Sequence, residues 1–158
     1  MLKLTESLLV ASLVLAPQVG AVEFSLVPLQ LGEFEIQVQL ADTTEKRMQG
    51  LMGQQPLQNG LILLYQEPRE ISLWMKNTPS ALDVAFIDEH WIVRQITDME
   101  PFSLTTHTST SPALAALEMP KGWFAAHKIK VGTAISYCPV AKEQCAKQRA
   151  SLKIVDGV

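Results

Sequence analysis

The sequence predicts a mostly-β fold: a compact barrel or sandwich of short strands with one main helix and a short C-terminal helix. Three observations carry this. Short apolar runs, some alternating with polar residues and some continuous, recur at regular spacing between turn signals. Only one stretch joins helical spacing to an N-terminal cap. No strand–helix–strand rhythm, internal repeat or Gly-rich phosphate loop is visible, which argues against a parallel α/β fold.

The chain has 158 residues and a net charge of −3, with 13 Lys and Arg against 16 Asp and Glu. With a pI of 5.6 and no basic stripe, it lacks the electrostatic footprint of a nucleic-acid binder. Residues 1–21 read as a secretory signal. Lys3 starts it, the apolar run from Leu8 to Ala16 is too short to span a bilayer, Pro17 breaks that run, and Val19-Gly20-Ala21 offers small residues for cleavage. Position 22 is Val rather than Cys, so a lipid-anchored start is not expected, and no later stretch is apolar enough to cross a membrane. The expectation is a periplasmic or secreted protein with one domain over 22–137 and a tail over 138–158. In an oxidising compartment Cys138 and Cys145 suggest one disulfide stapling that tail. Their spacing is not that of a metal knuckle.

The elements follow in order. Phe24, Leu26 and Pro28-Leu29 suggest a first strand, turned at Leu31-Gly32. Glu33 to Leu40 alternates polar and apolar, the pattern of a half-buried strand. Asp42 or Thr43 caps a helix in which Met48, Leu51 and Met52 share one face, and Gly53 stops it. A loop to Asn59-Gly60 precedes the continuous apolar strand Leu61 to Tyr65, expected to be buried on both faces. Glu67 to Glu70 turns the chain into a strand over Ile71 to Met75. Val84 to Asp88 and Trp91 to Thr97 form a hairpin around Glu89-His90. Pro101 to Pro112, rich in Ser and Thr, reads as a long exposed loop. A strand over Leu114 to Met119, one helical turn within Gly122 to Lys130 and a strand over Thr133 to Tyr137 complete the domain. In the tail, Ala141 to Ala150 reads as a helix and Leu152 to Val155 as a strand.

Five short segments together resemble a known family. They are Ala41-Asp42-Thr43 with Glu45, Arg47 and Gly50-Leu51-Met52; Ser72 to Thr78; Leu82 to Asp88; Met99 with Pro101; and Ala116-Leu117-Glu118-Met119-Pro120 with Gly122. In that order they are similar to the bacterial and archaeal family called domain of unknown function 192, over about residues 33–137. The resemblance implies a compact, mostly-β, often secreted domain and no established activity. Three departures stand out. Leu73 replaces the usual Phe. Ala81 rather than Pro precedes Leu82-Asp83. Phe102 to Ser111 lacks the cysteine pair of many relatives, so no redox or metal role of that pair applies here.

The polar members of these segments are the candidate site. Arg47 forks well onto a carboxylate, so one reading is a structural ion pair with Asp83 or Glu118 tying helix to sheet. The other is a shallow ligand pocket in which Arg47 or Lys76 holds an anionic group. Alternation places Trp74 and Lys76 on one face, with Asn77 at a turn beside them; either Trp74 is core and Lys76 runs past it to water, or the group suits a sugar or peptide. The expected ligand-binding set is Arg47, Trp74, Lys76, Asn77, Asp83 and Glu118, serving a small anionic, glycan or peptide ligand of the cell envelope. No cofactor or metal is expected. His90, His107 and His127 are scattered, and Ser72 forms no nucleophile elbow. Two rivals stand: a protein-interaction module with Phe102 to Ser111 as its contact surface, and a hydrolase using Asp83 and Glu118 as acid and base.

Overall fold

The computed structural model describes residues 22–137. The expected tail disulfide, tail helix and strand, and secretory signal lie outside the described residues.

Nine strands and two short helices are present among the described residues. They are β1 (Leu26–Leu31), β2 (Phe34–Ala41), α1 (Thr44–Gln49), β3 (Leu61–Arg69), β4 (Ser72–Leu73), β5 (Leu82–Ile87), β6 (Val93–Met99), β7 (His107–Thr108), β8 (Ala113–Pro120), α2 (Trp123–Ala126) and β9 (Ile135–Tyr137). Seven strands form one sheet in the order β6-β5-β8-β3-β2-β1-β9, and β4 pairs with β7 in a separate ribbon. The sheet curls until its two edges touch. An Ile92–Ala134 bridge joins the ends of β6 and β9, and Ile135 N–H donates to the Trp91 carbonyl at 2.8 Å. The fold is therefore mostly β and barrel-like, and curling hides much of both open edges.

The curled sheet has two cores, one on each face. Leu29, Leu31, Val38, Ile62, Ala85, Ile87, Leu117 and Ile135 pack on one face with Phe124 of α2. Leu61, Leu63, Val84, Phe86 and Ala116 pack on the other, under Leu51, Ile71, Leu73 and Met75. Adjacent residues of one strand thus feed different cores, as a period of two requires. This is why β5 is buried along its whole length and why Leu61-Ile62-Leu63 reads as a continuous apolar run.

The structure departs from the sequence-based expectations in four places. First, β2 and β3 run parallel, with Gln39 opposite Leu61, so α1 lies within one strand–helix–strand crossover. Its helix has only 6 residues, too short for a visible 3.6-residue period. Second, α1 ends at Gly50 rather than Gly53, and Met48 is 72% exposed instead of sharing a buried face with Leu51. Third, β3 runs on through Glu67-Pro68 to Arg69, with a register shift between Leu64 and Arg69 that leaves Pro68 outside the regular ladder. Fourth, the strand after Ile71 stops at Leu73. Asn77 adopts φ +57°, and Trp74 to Thr78 belong to a turn held by Met75 N–H on the Ser103 carbonyl at 2.9 Å. The long loop from Pro101 contributes β7 to that same corner.

Candidate functional site

The second face of the sheet is not completely covered. Between α1, the outer part of β3 and the turn after β4 lies a pocket of about 1250 Å3. Of the six candidates, Arg47, Trp74, Lys76, Asn77 and Glu118 line it; Asp83 does not.

Glu118 forms the floor. It stands on β8 directly opposite Leu61 of β3 and Val84 of β5, so apolar side chains flank it within the sheet. It is only 6% exposed. Among the described residues no hydrogen bond or ion pair reaches its carboxyl group. Burial pushes its pKa up to about 7, since ionisation there must proceed with little water around it.

Arg47 is occupied elsewhere. One guanidinium nitrogen donates to the carbonyls of Asp42 and Leu64, both at 2.8 Å, and the other reaches Thr44 Oγ1 at 3.3 Å. The residue ties α1 to β3 through backbone carbonyls, so the expected ion pair with Asp83 or Glu118 is absent. Its guanidinium also lies 4.6 Å from the centre of the Tyr65 ring. Arg69, from the far end of β3, sits 5.4 Å from the same ring. Burial raises the Tyr65 hydroxyl pKa despite these two cations. Across the pocket, Lys76 Nζ lies 5.3 Å from the Trp74 ring, and Trp74 is half exposed. These distances are those of cation–π contacts. Neither Arg69 nor Lys76 is paired with a carboxylate among the described residues.

Asp83 belongs to the opposite face. Its neighbour Val84 stands opposite Glu118, so the two carboxylates project from different sides of the sheet. Asp83 Oδ2 accepts the Gly122 N–H at 2.7 Å, holding the left-handed turn (φ +84°) that leads into α2. It cannot flank one glycosidic bond together with Glu118, so that acid–base pair fails on geometry. Asp83→Ala should lower the unfolding free energy by about 1–2 kcal/mol, the cost of leaving that N–H unpaired. Urea titration checks this, and the amide signals of the pocket residues should stay in place.

Sequence reasoning missed Tyr65 and Arg69. A signal for Tyr65 existed, since a period of two from Leu61 and Leu63 carries it to the Glu118 face. Reading Glu67-Pro68 as a turn hid Arg69. Among the described residues no three of His, Cys, Asp and Glu gather as a metal site would need.

Comparison with known proteins gives fold and family. A proposed transcription regulator from Sinorhizobium meliloti 1021 superposes with a TM-score of 0.71 at 26% identity, covering 75% of this chain and 98% of that one. A protein of unknown function from Novosphingobium aromaticivorans DSM 12444 gives 0.68 at 28% identity, covering 80% and 94%. No curated protein matches the chain. The profile of domain of unknown function 192, described as Uncharacterized ACR, COG1430, matches residues 27–137, most of the chain and nearly all of the curled sheet. The chain therefore belongs to the domain of unknown function 192 family.

Proposed function

We propose that this is an exported binding domain whose pocket takes a small ligand of the cell envelope, gripped through an anionic group. One observation carries the reading. Arg69 and Lys76 line one pocket, each resting on an aromatic ring, and neither has a carboxylate partner among the described residues. Surface cations near a carboxylate usually gain little from pairing, but two unpaired ones at a shared concave mouth add their fields. The rings fix where the charges sit and offer flat apolar surface to a sugar or peptide backbone. Ile71, Leu73 and Leu51 supply apolar wall beneath them. Binding rather than hydrolysis is favoured because Asp83, the second carboxylate of the expected acid–base pair, lies on the opposite face of the sheet from Glu118. Direct DNA reading, which the description of the Sinorhizobium protein would suggest, is disfavoured by a net charge of −3.

Native mass spectrometry of the full chain, expressed and processed in its own host, tests this. An additional mass is expected on the wild type and absent from the Arg69→Ala/Lys76→Ala double variant. Both side chains are exposed, so the variant should unfold within about 0.5 kcal/mol of the wild type. An adduct that survives in the variant would contradict the role given to these cations.

A further inference from the structure

We infer that the ligand is zwitterionic: a protonated amine or guanidinium meets Glu118 on the pocket floor while an anionic group meets Arg69 and Lys76 at the mouth. This rests on the pocket reading above and adds the second half of the ligand.

A carboxyl group 6% exposed, set between Leu61 and Val84 and without a partner among the described residues, gains nothing from the fold that holds it. A buried charge needs a compensating charge or several hydrogen bonds. Arg47, a cation lining the same pocket, is committed to the carbonyls of Asp42 and Leu64. The other charged or titratable groups lining the pocket are Glu45 on α1, Tyr65 and Arg69 on β3, Glu70 after β3 and Lys76 after β4. β5 presents only apolar Val84 beside the carboxyl. For the ionised form of Glu118, a cation that enters the pocket is therefore the counter-charge the fold leaves room for. With unpaired cations at the mouth and an unpaired acid on the floor, the cavity is complementary to a molecule charged oppositely at its two ends. Amino acids, short peptides and amino-sugar acids share this chemistry.

The test uses ω-amino acids from 4-aminobutyrate to 8-aminooctanoate, each beside the carboxylate of the same chain length without the amine. Binding to the full-length protein is followed by amide NMR shifts of the pocket residues between pH 5.5 and 8.5. For a carboxyl that titrates at about 7, the ionised fraction rises from a few per cent to nearly all, so the Kd of the best amino acid should fall by about 30-fold across that range. The matched carboxylate should show no such fall, and Glu118→Gln should flatten the trend.

Equal binding of the two series, with no pH trend, would overturn the amine contact and leave the anion-binding pocket standing. Tighter binding at low pH would also overturn it, by showing Glu118 at work as a proton-bearing donor. If no probe moves a pocket amide, both readings fall. The wild-type pH trend decides the matter even if Glu118→Gln folds poorly.

Discussion

Glu118→Gln is expected to make the protein more stable at pH 8.5, by about 3 kcal/mol, while changing little at pH 4. In the unfolded chain the Glu118 carboxyl loses its proton near its ordinary value of 4.5, and in the folded chain it does so at about 7. Within that window the folded state keeps a proton that the unfolded state has released. Stability is therefore fully present below about 4.5 and declines as pH rises through about 7. A separation of this size corresponds to roughly 3 kcal/mol. Glutamine resembles the protonated acid in size and hydrogen-bonding groups and does not titrate, so the variant should escape the decline. Urea unfolding of both proteins across the pH range measures the difference directly, and an unchanged m-value would confirm that only stability has moved. Taking the difference between variant and wild type cancels most of the pH response of other groups. A variant less stable than the wild type at pH 8.5 would mean that the carboxylate has a partner in the fold.

Gly60→Ala should be among the most damaging single substitutions near the pocket, at about 3 kcal/mol. Gly60 lies immediately before β3, where the strand meets β8. An added Cβ would fall 2.5 Å from the Glu118 carbonyl oxygen and against the sulfur of Met119. Met119 can swing aside; the backbone carbonyl cannot move without disturbing β8. Gly60 itself accepts the Gln39 N–H at 2.9 Å, so retreat on its own side strains the β2–β3 junction. The substitution should displace the Glu118 amide signal as well as lower the unfolding midpoint. Gly32→Ala is a useful contrast. It also sits at a tight turn, with φ +58°, but no atom lies within 4 Å of the added methyl. Its cost should be only the 1–2 kcal/mol or so of a left-handed non-glycine residue. Equal losses in the two variants would contradict the close-approach argument.

The strand pattern was legible because this sheet buries apolar residues on both faces, and β2, β3, β5 and β8 therefore read as alternating or continuous apolar runs. What stayed hidden was set by tertiary structure. The parallel pairing of β2 with β3 depends on a 6-residue helix too short to show periodicity. Thr43 was recognisable as a cap, and its side chain does accept the Lys46 N–H. The helix end was misplaced because Gly50 and Gly53 are equally plausible stops in sequence, and both have positive φ.

The same distinction holds for the site. Trp74, Lys76, Asn77 and Glu118 were identifiable as polar or amphipathic residues within or beside strands. Which face each occupied required the register. One residue of offset between Asp83 and Glu118 separates a turn-bracing carboxylate from a pocket floor, and sequence alone does not supply that offset. Arg47 points to a carboxylate on chemical grounds, yet its guanidinium donates to backbone carbonyls just before α1 and midway along β3.

Glu118 is a buried acid on the floor of an open pocket, with no hydrogen-bond or ion-pair partner among the described residues. The most direct test is a pH titration of its side-chain carboxyl carbon by NMR, in protein labelled at glutamate and assigned with Glu118→Gln. A midpoint near 7 is expected. A midpoint at or below the ordinary value of 4.5 would contradict it, because it would require a counter-charge or a set of hydrogen bonds already present within the protein.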